Sequence, residues 1–230
     1  MRVLPDDLRR YACEFFGTYF LVFFAASAPT VNGMLGGVLG PWVGGVSSGV
    51  ALAAVIYAIG YTSGAHVNPA LSIAAALIRH LEWRLVPGYI LSQMLGSLGA
   101  GFTVLALVGP YNAVGSNLPN LEAGVTPLQA LASEFILSVV LMWVVAAVGL
   151  DRRAHGPLAG LVVGALVAAE IIVFGAFGGA AMSPARPFGP QLASGNLEHF
   201  WIYVVGPVAG MVVGAYLYRL THNARREAEP

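Results

Sequence analysis

The chain has 230 residues, of which 57% are hydrophobic and only 10% charged, with a formal net charge of zero and a mean hydropathy of +0.76. A soluble domain carries about 25% charged residues to hydrate its surface, so this chain is solvated by lipid. An ordinary cytosolic enzyme, a nucleic-acid binder and a disordered chain are excluded. The single cysteine, Cys13, excludes a disulfide framework and a cysteine metal site.

In chain order, six stretches reach the ~20 apolar residues that a membrane helix needs: roughly 11–31, 43–61, 85–108, 128–150, 156–177 and 199–220. Arginines precede the first, and Ala26-Ser27-Ala28 has the look of a cleavage site. The apolar run is nevertheless too long for a signal peptide, holds Glu14 and leads into Pro29, so it reads as a retained span. After the second span comes a shorter apolar stretch, 68–78, and after the fifth another, 183–194. Each covers roughly 15–18 Å as a helix, which is half a membrane. Asn68 and Ser183 are N-cap residues by type, and Pro69 and Pro184 stand where a missing N–H costs nothing. The glycines before them (Gly64; Gly175, Gly178 and Gly179) admit unusual backbone. At membrane depth such backbone is tolerated only against protein or a water-filled cavity. Two half-helices are therefore predicted to start near the midplane beside a polar path.

All eleven basic residues are arginines. Arg2, Arg9 and Arg10 precede the first span, Arg79 and Arg84 lie between the second and third, Arg152 and Arg153 between the fourth and fifth, and Arg219, Arg225 and Arg226 after the sixth. Six spans put all four segments on one side, which the positive-inside rule makes cytoplasmic, with both termini there and the chain in the cell membrane. The exception is Arg186, in the outer connection before the sixth span.

The chain also repeats itself. Glu14-Phe15-Phe16-Gly17 corresponds to Glu134-Phe135-Ile136-Leu137, and Ser63-Gly64-Ala65-His66-Val67-Asn68-Pro69-Ala70 to Gly179-Ala180-Ala181-Met182-Ser183-Pro184-Ala185. The two halves, of about 115 residues, run over approximately 8–115 and 125–222 within a single membrane domain, 1–230. Three spans per half is an odd number, so the halves enter from opposite faces. An inverted repeat with interrupted apolar segments points to a transport site at the midplane. The expected fold is an all-α membrane protein with six transmembrane helices and two re-entrant half-helices.

These residues resemble the aquaporin, or major intrinsic protein, family, with its six spans, two re-entrant half-helices and paired Asn-Pro-Ala motifs. Asn68-Pro69-Ala70 is the first motif unchanged, and Ser183-Pro184-Ala185-Arg186 is the second with serine in place of asparagine. Ala76-Leu77-Ile78-Arg79-His80, Ala193-Ser194-Gly195-Asn196 and Trp201-Ile202-Tyr203 are most similar to the nodulin-like intrinsic proteins. The resemblance implies a passive channel for small neutral solutes and water, assembled as a homotetramer in membrane lipid, with no enzyme activity, cofactor, metal or nucleic-acid partner. It also implies an outer filter of Arg186 with Ser48, Ile171 and Ala180, whose small or apolar side chains leave a wide aperture of the kind associated with glycerol, urea and boric or arsenous acid. Glu14 and Glu134 would hold the re-entrant loops.

The chemistry expected of the lining follows from the half-helices. Two helix N-termini meeting at the midplane each present unpaired N–H groups and about half a positive charge, which repels cations. Asn68 and Ser183 would add donors. Extended segments at 64–66 (Gly64, Ala65, His66) and 179–181 (Gly179, Ala180, Ala181) would expose carbonyl acceptors. A cation at Arg186, in the first turn of a helix, opposes the dipole and suggests a functional position; the bland alternative is an interface arginine paired with an outer acid such as Glu198. Glu170, beside Ile171, has no family explanation. Two further readings are a proton-coupled transporter using Glu170 or the Glu14/Glu134 pair, and an intramembrane enzyme. No catalytic spacing supports the enzyme.

Overall fold

The computed structural model describes residues 5–151 and 156–222. Arg2, Arg152, Arg153, Arg225 and Arg226, used above for topology, lie outside them. Six helices are long and apolar enough to cross a membrane: α1 (Asp6–Met34), α2 (Trp42–Ser63), α4 (Val86–Leu107, entered through a 3₁₀ turn at Trp83–Leu85), α6 (Pro127–Val145, continued by a π turn at Ala146–Leu150), α7 (Ala159–Gly178) and α9 (Ile202–His222). Two half-length helices, α3 (Pro69–Leu77) and α8 (Ala185–Ser194), stand at the expected places, and α5 is a single left-handed turn at Asn112–Gly115. No strand occurs among the described residues.

The first span is longer than its apolar run at both ends. Asp6 and Asp7 sit in the first turn, where carboxylates favour the helix dipole, and the helix continues through Ala26-Ser27-Ala28 and across Pro29. A proline inside a helix removes one hydrogen bond and leaves the rest of the ladder in place.

Packing follows the repeat. The main helix pairs are α1 with α4 and α6 with α9 within the halves, and α2 with α7 across them. Each half-helix is also seated on the third span of the opposite half, α3 on α9 and α8 on α4. The repeats are thus interlocked, and neither half-helix is held by its own half alone. Small residues permit the close approach. On α9, Gly206, Gly210 and Gly214 lie against Glu134, Phe135, Ser138, Val139 and Met142 of α6, and on α7 Gly160 and Gly164 lie against α2, as expected for small-residue stripes.

The seat of α8 is the tightest of these contacts. The Gly189 amide donates to Ser97 Oγ at 2.9 Å, and that hydroxyl donates in turn to the Ala185 carbonyl. A Cβ at Gly189 would run into the Ser97 backbone, whereas one at Gly60 would meet only Ile56, at 3.9 Å. Gly189→Val is therefore expected to destabilise the protein by about 1–3 kcal/mol or more, while Gly60→Ala is neutral or better. Thermal unfolding in detergent measures both. Equal melting temperatures for the two variants would contradict this seating.

Candidate functional site

The backbone ahead of each half-helix departs from the extended form expected from sequence. Gly64, Ala65 and Val67 have φ of 88°, 49° and 42°; Gly179, Ala180 and Met182, at the matching repeat positions, have 90°, 48° and 51°. Four of these six residues carry side chains, for which the left-handed region costs of order 1–3 kcal/mol each unless the surroundings compel it. The compelling groups are two buried carboxylates. Glu14, on α1, accepts from the amides of His66 (3.0 Å) and Val67 (2.7 Å); Glu134, on α6, accepts from those of Ala181 (2.8 Å) and Met182 (2.7 Å). In an extended strand successive N–H groups point to opposite sides, so two neighbouring amides cannot meet one carboxylate. Alternating backbone turns them inward as an anion nest.

The Glu14 nest has further support. Ser63 Oγ donates to Glu14 at 2.7 Å and Gln93 Nε2 at 2.8 Å. Gln93 also donates to Ser72 Oγ (3.0 Å), which is 3.1 Å from His66 Nδ1. The His66 ring is thus held in this network, and His66 also borders the cavity. Tyr89 and Tyr203 close the C-termini of α2 and α7 in parallel, donating to the carbonyls of Ser63 (2.6 Å) and Gly178 (2.7 Å).

At the midplane the two loops touch. Asn68 Oδ1 caps α3, accepting from Ala70 N at 2.9 Å and Leu71 N at 3.4 Å, while Asn68 Nδ2 donates to the Met182 carbonyl at 2.8 Å. One of its two amide hydrogens is therefore committed to the other loop, and one remains for the lumen. Ser183 Oγ accepts from Ala185 N at 3.2 Å. The hydrogen-bonded α8 starts at Ala185, but Pro184 is already in helical dihedrals (φ −62°, ψ −34°), so the Ser183 hydroxyl makes the capping bond expected of it. Serine is too short to return the bridge that Asn68 makes. Among the described residues, no bond joins Ser183 to the Val67 carbonyl.

A cavity of about 130 Å³ runs past both loops. Asn68 and Ser183 border it at the midplane; Ser48, Ile171, Ala180 and Arg186 border it together, and Gly64, Ala65 and Ala181 also line it. Pro69, Ala70, Pro184 and Ala185 are buried in the half-helix starts. Arg186 forms no ion pair among the described residues. Its guanidinium donates to two backbone carbonyls, Ala25 O at 2.9 Å and Gly115 O at 3.2 Å. The Glu198 pairing weighed above is absent, and that carboxylate lies 4.0 Å from the His199 Nε2 instead. Glu170 is buried, with neither carboxyl oxygen bonded to a described residue. Beyond the C-terminal end of α3, burial first and the Arg219 charge second lower the His80 pKa from the ordinary imidazole value, against a raising effect of Asp151.

The model of the major intrinsic protein family matches residues 3–218. The chain belongs to this family. It is 41% identical over 210 residues to Aquaporin NIP3-1 of Oryza sativa subsp. japonica, covering 91% of this chain and 67% of that protein. With Aquaporin NIP1-1 of Zea mays it shares 40% identity over 230 residues, covering 99% and 80%. Its fold is similar to that of the aquaglyceroporin from Plasmodium falciparum, with a TM-score of 0.84, 26% identity, and 94% and 97% of the two chains covered.

In this aquaporin-family chain, the half-helix motifs, both nest carboxylates and Arg186 are residues that the sequence singles out. Gln93, Ser72, Ser97 and the Tyr89/Tyr203 pair are not among them. A signal for the tyrosines was present, since Gly88-Tyr89-Ile90 and Ile202-Tyr203 fall at nearly the same distance after the two motifs. Restoring the missing midplane bridge tests the geometry. Ser183→Asn brings an amide within reach of the Val67 carbonyl and is expected to stabilise the protein by about 0.5–1.5 kcal/mol, read as a higher melting temperature. An unchanged or lower value would show that the carbonyl needs no partner.

Proposed function

We propose that this chain is a passive transmembrane channel for small uncharged solutes, namely water, glycerol, urea and metalloid acids such as boric or arsenous acid, and that it excludes protons and ions. One observation carries the reading. Among the described residues that line the cavity, the only fixed charge is the guanidinium of Arg186; Glu14, Glu134 and Glu170 do not line it. A cation there meets a positive side chain and two helix N-termini with no carboxylate to replace its hydration. A neutral solute meets what it needs: carbonyl acceptors from the left-handed loops, donors from Asn68 and Ser183, and an apolar opposite wall of residues such as Leu52, Val163 and Val167. The nest carboxylates are consumed by backbone amides, which also argues against their shuttling protons in a coupled transporter. We read the chain as a channel and not an enzyme.

We assign the outer aperture to Ser48, Ile171, Ala180 and Arg186. Three small or apolar side chains beside one guanidinium leave room for a solute wider than water, and the likeness to an aquaglyceroporin supports passage of a polyol. The whole chain, 1–230, is one channel domain. By family resemblance it forms a homotetramer in the cell membrane, and by its arginines both termini are cytoplasmic.

The aperture assignment is tested by Ser48→Phe combined with Ile171→His. Added bulk in a fitted pocket discriminates by about 10-fold or more, so glycerol and boric acid flux should fall by that factor while water flux persists. Stopped-flow measurements on proteoliposomes read both. Unchanged solute selectivity in the double variant would remove these two positions from the aperture.

A further inference from the structure

The bond between Arg186 and Ala25 depends on an irregularity elsewhere in α1. In a helix the carbonyl of residue i−4 accepts from the amide of residue i. The acceptor for position 29 is Ala25 O, and position 29 is a proline inside the helix. Proline has no N–H, and its ring presses against the i−4 carbonyl, so that carbonyl is left without its helical donor. Ala25 is buried beside the cavity, where an unpaired backbone oxygen would be costly. The Arg186 guanidinium supplies the missing bond at 2.9 Å. The two defects, a cation at the wrong end of a helix and a carbonyl without a donor, satisfy each other.

The second anchor leads back to the same place. Asn112 Nδ2 donates to the Pro29 carbonyl at 3.3 Å. Asn112, Ala113, Val114 and Gly115 all have positive φ (46°, 47°, 57° and 64°). This left-handed turn lies against Ala26, where a Cβ on Gly115 would collide with the Ala26 carbonyl, and it delivers the Gly115 carbonyl to Arg186 at 3.2 Å. Both carbonyls that hold the guanidinium are therefore set by the stretch of α1 around Pro29.

We propose that Pro29 is a positioning residue for Arg186: by leaving the Ala25 carbonyl without a helical donor, it draws the guanidinium onto the α1 wall and keeps the outer aperture open. This rests on the aperture reading given above. An amide restored at position 29 reclaims the Ala25 carbonyl. The guanidinium, held then by Gly115 alone, turns its freed donors to water in the lumen and narrows the passage for the larger solutes.

The test is a double-mutant cycle in proteoliposomes. It uses Pro29→Ala, with Pro29→Val as a second way to restore the amide, each in the wild-type and the Arg186→Val background. The readout is the ratio of glycerol or boric acid flux to water flux, on monodisperse protein. In the wild-type background the ratio is expected to fall by roughly 2- to 10-fold, the effect of one hydrogen bond on an equilibrium. In the Arg186→Val background it is expected not to move. No change or a rise in the wild-type background overturns the inference, and so does the same fall in both backgrounds, which a merely structural proline would produce. If Arg186→Val alone leaves the ratio at the wild-type value, the aperture reading fails; a shifted ratio there with an unresponsive Pro29 overturns this inference alone.

Discussion

A single buried carboxylate that holds two neighbouring backbone amides is the constraint on which the rest depends, and the protein contains it twice. Burying an anion in a membrane protein is costly unless several donors surround it. Glu14 has four donors within 3.0 Å, from Ser63, His66, Val67 and Gln93, and Glu134 has the two amides of Ala181 and Met182. Hydrogen bonds to a charged group are each stronger than neutral ones, and they offset the strain of left-handed alanine, valine and methionine. With the N–H groups turned inward to the carboxylate, the carbonyls of the same segments are left for the other side, where that of Met182 meets Asn68. An acceptor-lined wall and a buried acid are thus two faces of one arrangement.

The inverted repeat makes this arrangement work as a passage. Each half-helix is seated on a span of the opposite half, so the two N-termini are brought together at the midplane from opposite faces. Asn68 ties them by its bond to the Met182 carbonyl. Ser183 does not return it, and the pseudo-twofold symmetry is broken there. The lumen gains a hydroxyl and loses a bridge. At the start of α8, symmetry is broken again by Arg186, which has no counterpart in the first repeat and whose guanidinium is held by carbonyls of α1 and of the turn at Asn112–Gly115.

Much of this was legible in the sequence because it rests on composition and local chemistry. Apolar length marks a span whatever its neighbours are, and Asn68-Pro69 or Ser183-Pro184 marks a helix start through capping. The repeat converted two weak signals into one architecture. What was not legible depends on partners distant along the chain. Ala65, Val67, Ala180 and Met182 disfavour positive φ by their own chemistry, so local preference argues for the extended form and only the distant carboxylates reverse it. Ser97 and Gln93 look like ordinary span residues until α8 and α3 are seated. Pro29 was visible, but its consequence was not, because a missing N–H matters only when a donor from another helix stands opposite the freed carbonyl.

The most direct measurement is amide hydrogen exchange, resolved by residue, on the protein in lipid nanodiscs. His66, Val67, Ala181 and Met182 border the cavity, yet their amides are bonded to buried carboxylates. They are expected to exchange as slowly as the protected amides in the middle of α4 and α9. Exchange at the rate of an exposed turn amide, such as that of Val38, would contradict the view that the two carboxylates hold the loops and orient the carbonyls.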